Sequence, residues 1–244
     1  MSQPPLPAET RCWRDTDDRQ RIVTSLFDRS ARHYDRACSV MSFGSGQRYR
    51  REALDRAGVR PGMRVLDVGF GTGLLAREIV STVGPSGRVV GLDPSRNMMA
   101  AGGPQPKVRL VQAVGDRLPF AGARFDFVTM GYALRHVADL DRLFQEYGRV
   151  LHGSGRVLIL EITRPHSRLG LALARAYFGA VVPLMTRVTT GSAGAAELMR
   201  FFWDTIAACV PPETVLTSLR RAGFTAVEQR VFCGIFSEYT AIRA

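Results

Sequence analysis

The stretch LDVGFGTG, residues 66–73, places three glycines at alternate positions directly after an apolar run. Glycine loses more backbone entropy on folding than any other residue, so Gly69, Gly71 and Gly73 need a physical reason. The sequence leaves two reasons open. Either the turn requires backbone angles that only glycine tolerates, or a ligand lies against main chain that carries no side chains.

Strand and helix patterns alternate outward from this stretch. Apolar runs rich in β-branched residues predict strands at 64–69, 88–93, 108–113, 125–130 and 156–163. Periodic apolar residues predict helices at 73–84, 95–102 and 139–153. This alternation implies a parallel sheet with helices on both faces. Near the end of the chain, two strand patterns flank a tight turn at Cys233–Gly234, which predicts an antiparallel hairpin.

The remaining segments suggest how the chain is divided. Residues 1–15 are rich in proline and lack an apolar segment, so we expect a disordered tail and no signal peptide. Helical patterns over 16–60 predict an N-terminal helical cap. Residues 61–244 then form the main domain, with an apolar helical insertion at about 166–210.

The insertion begins with an apolar run over residues 168–188. Pro183 is expected to end or kink a helix there. As a membrane span the run is interpreted as too short, and it carries Arg175. We therefore predict a helix that covers an apolar pocket, with an interfacial membrane helix as the alternative.

The composition is that of a basic globular protein. The formal net charge is +11, and every basic residue except Lys107 is arginine. These arginines are scattered and accompany no nucleic-acid-binding motif, so we predict no nucleic-acid partner. A basic surface would favour an anionic membrane face. The four cysteines are far apart and form no CxxC pair, so no metal site is expected.

The glycine turn also indicates the class of ligand. A dinucleotide site would show GxGxxG with a pyrophosphate at the helix N-terminus, whereas this chain has GxGxG preceded by Asp67. An acidic neighbour disfavours a pyrophosphate and suits a cation such as S-adenosylmethionine, which carries a sulfonium and an ammonium. Asp93 ends the second strand, where a carboxylate can accept both ribose hydroxyls of an adenosine cofactor.

Several segments together resemble a known family. LDVGFGTG, GLDPSRNMM, DRLPFAGARFDFVTMGYALRHVADLD and GRVLILEITRP look like class I S-adenosylmethionine-dependent methyltransferases. FDRSARHYDRACSVMSFG is similar to the FxxxAxxYDxxNxxMSFG segment of the ubiquinone/menaquinone biosynthesis C-methyltransferase family. The resemblance runs from about residue 22 to the C-terminus.

The resemblance implies an α/β fold, with a Rossmann-like, seven-stranded, mostly parallel sheet that ends in an antiparallel hairpin. It implies S-adenosyl-L-methionine as the cofactor, held by Asp67, Gly69, Gly71, Gly73, Asp93, Met98 and Asp116. Met98 would pack near the adenine, or be an ordinary helix-core methionine. Asp116 would lie near the adenine amine, although Val114 and Gly115 depart from the usual family residues just before it.

Three residues are the candidate catalytic set. Arg135 and His136 follow the fourth strand in GYALRHV, and Tyr34 lies in the YD segment. Arg135 would stabilise a developing phenolate, and His136 would accept a ring proton near neutral pH. The family usually has Asn where this chain has His136, so a histidine bonded to a loop carbonyl remains the alternative. Tyr34 would contact the substrate.

Other positions carry weaker expectations. Asp35 either closes over the pocket with Tyr34 or only caps local backbone, and Glu161 either faces the crevice or pairs with an arginine. Phe201 and Asp204 replace the family's usual Tyr and Glu, which suggests a changed polar end of the acceptor site. Apolar walls from the run that begins at 168 would suit a polyprenyl tail.

The sequence therefore predicts a cytoplasmic methyltransferase that methylates a prenylated benzoquinol or naphthoquinol ring carbon. Peripheral association with the inner membrane, and a homodimer or biosynthetic complex, are further expectations. Three alternatives stay open at this stage. They are a natural-product methyltransferase with a phenolic or polycyclic acceptor, a quinone-modifying enzyme of rhodoquinone type, and a non-catalytic cofactor-binding scaffold.

Overall fold

The computed structural model describes residues 16–165 and 167–244. The tail predicted over 1–15 lies outside the described residues. The strands are β1 (Arg64–Val68), β2 (Arg88–Asp93), β3 (Val108–Gln112), β4 (Phe125–Gly131), β5 (Leu151–Ile162), β6 (Phe224–Phe232) and β7 (Phe236–Arg243). The helices are α1 (Thr16–Ser42), α2 (Gly46–Ala57), α3 (Leu74–Val83), α4 (Arg96–Ala101), α5 (Leu140–Val150), α6 (Arg168–Ala176), α7 (Val182–Thr190), α8 (Ala193–Ala207) and α9 (Pro212–Arg221).

The seven strands form one sheet in the order β3-β2-β1-β4-β5-β7-β6. Strands β1 to β5 pair in parallel, and β7 is antiparallel to both β5 and β6. The predicted α/β architecture and its C-terminal hairpin are therefore confirmed. Chain order reverses between β1 and β4, and ligands of open α/β sheets bind beyond the strand ends at such a reversal.

Both faces of the sheet are covered by packed apolar side chains. On one face, Phe144 and Tyr147 of α5 and Leu219 of α9 are fully buried. On the other, Leu54 of α2 and Ile79 of α3 are fully buried. This packing explains why the parallel strands are nearly continuous apolar runs, since their side chains meet helices on both sides.

Local signals set several helix ends. Ser95 and Asp139 accept hydrogen bonds from backbone N–H groups three residues later, at 2.9 Å each, and so cap α4 and α5. Gly58 and Gly191 end α2 and α7 with φ of +90° and +66°, a backbone conformation that glycine adopts without strain. Helix α5 ends at Val150, three residues earlier than predicted, because the backbone turns extended at Leu151 and pairs with β4.

Helices α1, α6, α7 and α8 form a cover over the crevice end of the sheet, with their own apolar cluster. Hydrogen bonds join these helices across long sequence separations. Ser30 donates to the carbonyl of Gly194 at 3.2 Å, and Tyr177 donates to the carbonyl of Met41 at 2.9 Å. The cover is therefore an integral part of the packed structure.

The apolar run behaves differently from the prediction. Helices α6 and α7 are continuous through a π-helical turn at Tyr177–Val181, so Pro183 does not end the helix. Proline offers no N–H to the carbonyl four residues earlier, and the wider turn just before it accommodates that loss. The 23-residue helix over 168–190 is long and apolar enough to cross a membrane by length and composition. The interpretation that the run is too short was wrong.

Gly91 offers a test of how tightly the glycine-turn region packs. A Cβ at this position in β2 would lie 2.3 Å from a ring carbon of Phe70. We expect Gly91→Ala to lower the free energy of unfolding by about 1–3 kcal/mol, because overpacking displaces the ring. Urea denaturation measures the change. Gly153→Ala is the control, since a Cβ there meets no atom within 4 Å. Equal stability of the two variants would contradict the prediction.

Candidate functional site

The glycine turn joins β1 to α3 at the chain reversal. Gly69, Gly71 and Gly73 have φ of +73°, +58° and +82°. Each therefore has a left-handed backbone conformation in which a residue with a side chain would be strained. At Gly69, a Cβ would also lie 2.7 Å from the Cβ of Ala133. At Gly71, the nearest atom is a methionine methyl group at 3.5 Å, across a cavity. The turn geometry therefore explains all three glycines, and Gly71 also leaves main chain bare to a cavity.

Two adjoining cavities meet at this turn. Cavity A, about 770 Å³, lies over the ends of β1 and β2, and cavity B, about 1270 Å³, lies between the turn and the helical cover. Both are lined by Tyr34, Gly69, Gly71, Gly131 and Tyr132. A ligand that spans the turn would therefore contact both spaces.

Asp93 stands at the end of β2 in the wall of cavity A. Its carboxylate accepts hydrogen bonds from the backbone N–H of Gly71 at 2.7 Å and of Ser95 at 2.8 Å. Burial raises the pKa of Asp93 to about 6, and these two bonds act in the opposite direction. The bonds orient the carboxylate while leaving lone pairs on both oxygens for hydroxyl donors.

Asp67 lies beneath the turn and is 1% exposed. Its Oδ1 accepts from the hydroxyl of Thr129 at 2.8 Å, whereas its Oδ2 is buried and has no hydrogen-bond partner among the described residues. Burial raises the pKa of Asp67 to about 7. A buried carboxylate oxygen without a donor is unfavourable, and a cationic ligand at the turn would satisfy it.

Of the two remaining predicted cofactor residues, one lines cavity A and the other does not. Met98 lines cavity A together with Val114 and Gly115. Asp116 does not line cavity A. It borders a separate surface depression, and its carbonyl accepts from Arg142 at 3.1 Å. Asp116 therefore makes no contact with cavity A that would support its predicted role near the adenine amine.

All three predicted catalytic residues lie in the cavity walls. Tyr34 borders both cavities, and His136 borders cavity A. The ring of His136 is stacked on Phe201, with centroids 5.7 Å apart and planes at 8°, and meets the ring of Phe27 edge-on at 5.4 Å. Desolvation raises the pKa of Tyr34 well above its usual value, so this phenol stays protonated and can donate a hydrogen bond.

Arg135 lines cavity B with its charge already paired within the protein. Its guanidinium bonds to Glu161 at 2.5 Å and to the carbonyl of Tyr132 at 2.7 Å, and it lies over the ring of Phe202 at 4.9 Å. The side chains of Arg135 and Glu161 are 1% and 0% exposed. Of the two alternatives for Glu161, pairing with an arginine is therefore the one observed. Arg135 borders cavity B, but its charge is already balanced.

That arginine holds an unusual stretch of backbone. Tyr132 directly follows β4 and has a φ of +60°, a strained value for a residue with an aromatic side chain. The bond from Arg135 to its carbonyl fixes this conformation, which points to a framework role for the ion pair. Strained backbone of this kind is common beside functional sites.

Asp35 does not cap its own helix. It accepts from the hydroxyl of Thr72 at 2.5 Å and pairs with Arg77 at 3.3 Å, so it ties α1 to the glycine turn. Asp204 is exposed on α8 and lines neither cavity. The departure at Asp204 thus lies away from both cavities, whereas Phe201 reaches the wall of cavity A through its contact with His136.

Sequence reasoning missed four polar residues that line cavity B: Cys38, Tyr49, Arg50 and Tyr132. One signal was present for Arg50. It lies four and seven positions before Leu54 and Ala57, on the buried face of α2, where a charged side chain is unusual. Its neighbours across the cavity are remote in sequence, so no local pattern identifies them. In the described residues, no group of three or more His, Cys, Asp or Glu is arranged to hold a metal ion.

The chain matches one family model over nearly its whole length. The model of the ubiE/COQ5 methyltransferase family covers residues 14–243. A Pseudomonas paraeruginosa protein named "Ubiquinone/menaquinone biosynthesis C-methyltransferase UbiE" is 35% identical over 212 residues, which are 84% of this chain and 82% of that protein. A Hahella chejuensis protein of the same name is 31% identical over 235 residues, 93% of each chain.

Solved structures share the fold. An S-adenosylmethionine-dependent methyltransferase of Thermotoga maritima superposes with a TM-score of 0.64 at 19% identity, covering 90% of this chain and 99% of that one. Human N-acetylserotonin methyltransferase, solved with S-adenosylmethionine, gives 0.58 at 17% identity, covering 98% of this chain and 60% of that one. At these identities the likeness bears on the fold alone.

The burial of Asp67 predicts an unusual pH dependence of stability. Its pKa in the folded protein, about 7, lies above the ordinary value of 3.8, so between these values the folded state holds a proton that the unfolded chain has released. The free energy of unfolding therefore falls as pH rises through this window. We expect the free energy of unfolding of the parent to fall by on the order of 2–4 kcal/mol across this window, at about 1.4 kcal/mol per pKa unit. The Asp67→Asn variant should not show this fall.

Urea denaturation of the ligand-free protein at pH 5 and pH 7.5 measures this effect. Asp67→Asn should gain stability relative to the parent at the higher pH. Asp55→Asn is the control, because Asp55 is exposed on α2. A parent and an Asp67→Asn variant with the same pH slope would contradict the prediction.

Proposed function

The chain belongs to the ubiE/COQ5 methyltransferase family, and from this premise we propose that it methylates a ring carbon of a prenylated benzoquinol or naphthoquinol. It is an S-adenosylmethionine-dependent methyltransferase of quinone biosynthesis. The observation that supports this acceptor class is cavity B, a large space beside the glycine turn whose apolar walls include Met41, Ile162, Phe178, Phe202, Phe232 and Phe236.

The residues around the turn fit the cofactor. When bound, S-adenosylmethionine supplies a methyl group on a positively charged sulfur, already activated toward a nucleophile. Asp93 would accept the ribose hydroxyls, and the unpartnered Oδ2 of Asp67 would face the ammonium. The bare main chain at Gly71 would allow the cofactor to approach the backbone closely. Met98 would pack against the adenosine part of the cofactor in cavity A.

The acceptor ring must lose a proton when its carbon gains a methyl group, so the site needs a proton acceptor and a means of orienting the ring. His136 is the proposed acceptor of that proton, since imidazole exchanges protons near neutral pH. Tyr34 borders both cavities and would donate a hydrogen bond to a ring oxygen. Arg135 would act through the backbone of Tyr132 that it holds.

One observation favours a second acceptor class. His136 and Phe201, two departures from the family pattern, contact each other at the wall of cavity A. A stacked aromatic pair in place of the usual Asn and Tyr offers fewer hydrogen bonds and more flat apolar surface. A polycyclic phenol without a prenyl tail is therefore the alternative acceptor.

Methyl transfer from labelled cofactor to short-tail demethylquinols tests the proposed function. We expect a ring-methylated quinol, identified by mass spectrometry, and a Tyr34→Phe variant with roughly 10- to 100-fold lower kcat/KM, because one hydrogen bond to the ring oxygen is lost. Tyr177→Phe is the control, since among the described residues the hydroxyl of Tyr177 donates to the carbonyl of Met41 in helix α1 of the cover. Methylation of a polycyclic phenol without any methylated quinol would instead establish the alternative.

The location proposed for the enzyme is the cytoplasm, with peripheral attachment to the membrane that holds its prenylated acceptor. Helix 168–190 contributes Phe178 to cavity B, and on its outer side Leu169, Leu173 and Leu184 are 71%, 62% and 64% exposed. Exposed Arg168, Arg175 and Arg187 on the same helix suit anionic lipid headgroups. Homodimer formation and membership of a biosynthetic complex stay predictions.

Replacing two of these leucines tests the attachment. We expect a Leu173→Ser/Leu184→Ser variant to bind vesicles of anionic phospholipid at least 10-fold more weakly than the parent in a flotation assay, because apolar contact area is lost. The control is Leu110→Ser, which replaces an exposed leucine on β3. Parent protein that fails to float with vesicles, or a double variant that floats equally well, would contradict the attachment.

A further inference from the structure

The cations near the glycine turn differ in how their charges are balanced. Arg77 pairs with Asp35, Arg135 pairs with Glu161, and Arg51 pairs with Glu78 at 2.9 Å. Arg50, between them on α2, has no hydrogen bond or ion pair within the described ranges 16–165 and 167–244. Its guanidinium is thus a cation at the site that a ligand can still engage.

The guanidinium of Arg50 is directed into cavity B. The residue is half-buried, and both Nη atoms lie 3.4 Å from the position that a Cβ would take on Gly46, at the start of α2. The same cavity is bordered by Gly69, Gly71 and Thr72 of the turn. A charge that stands in a largely apolar cavity loses solvation, and only an anionic partner would restore it fully.

The positive charge of Arg50 influences the pKa values of groups around the turn. Burial is the main influence on the pKa values of Asp67, Tyr34 and Tyr132 and raises all three, and the Arg50 charge acts against it in each case. Arg50 is therefore near enough to Asp67 for the two charges to interact, although Asp67 is buried beneath the turn. One carboxylate oxygen beneath the turn has no partner among the described residues, and one guanidinium in the cavity that borders the turn has none either.

We propose that Arg50 binds the carboxylate of the cofactor's methionyl end, as the counterpart of Asp67 for the ammonium. This inference rests on the cofactor assigned under the proposed function. An α-amino acid carries both charges on one carbon, and the pair Asp67–Arg50 is complementary to it. A guanidinium binds a carboxylate through two parallel hydrogen bonds, which is a stronger complement than the neutral hydroxyl of a quinol.

The neutral groups of cavity B suit the acceptor instead. Tyr34 and Tyr132 are held protonated by burial, and their hydroxyls can bond to neutral ring oxygens. Arg50 is thereby assigned to the cofactor, and the tyrosines to the acceptor.

Calorimetry with two ligands that differ at the methionyl end tests the assignment. S-adenosylhomocysteine carries the amino acid, and 5′-methylthioadenosine lacks it. We expect Arg50→Gln to weaken S-adenosylhomocysteine binding roughly 10- to 100-fold, as for loss of a charged hydrogen bond, and to leave 5′-methylthioadenosine within about twofold. Arg50→Lys should restore part of the loss. Arg51→Gln, which removes a neighbouring charge paired with Glu78, should change neither affinity.

Three results would overturn the assignment. Equal weakening of both ligands would make Arg50 structural. Unchanged S-adenosylhomocysteine binding with a raised KM for the quinol would assign Arg50 to the acceptor. A parent protein that binds neither ligand would refute the cofactor and this inference together, which distinguishes that failure from the failure of Arg50 alone.

Discussion

The turn between β1 and α3 is the constraint on which the site depends. The N–H groups of Gly69 and Phe70 both donate to the carbonyl of Leu92, at 2.8 and 3.0 Å, and Gly71 donates to the side chain of Asp93. The end of β2 therefore holds the turn directly, and only glycine accepts the resulting backbone angles without strain. Because the turn is fixed this way, its main chain lines both cavities and the carboxylate of Asp93 lines cavity A.

Some charged side chains around the turn pair with each other and support the structure, whereas others are left to bind a ligand. The buried pair of Arg135 and Glu161 satisfies itself and supports the strained carbonyl of Tyr132, so it builds the wall of cavity B. Removing one member of such a pair leaves an uncompensated buried charge, which costs far more than the pair gains. Loss of activity on mutating Arg135 would thus report lost geometry as readily as lost chemistry. Asp67 and Arg50 differ, because neither has its charge balanced by a described residue.

The sequence predicted the features that depend on neighbours along the chain. The strand and helix alternation and the Cys233–Gly234 turn are local, and each is observed. The ion pair of Arg135, by contrast, joins residues 26 positions apart on different elements, and periodicity says nothing about such a contact. The continuous helix through Pro183 was missed for a related reason, since packing against the cover favours the π-helical turn over a break.

The two departures at positions 136 and 201 are a single structural change. Their rings stack, so each residue defines the surroundings of the other, and a reversion of one alone would place an amide against Phe201 or a phenol against His136. Asp204 is exposed and takes no part in this pair. The change is therefore confined to one stacked aromatic pair, of which His136 borders cavity A. It follows that acceptor preference should respond to the pair of substitutions together, with a non-additive effect that the single ones do not show.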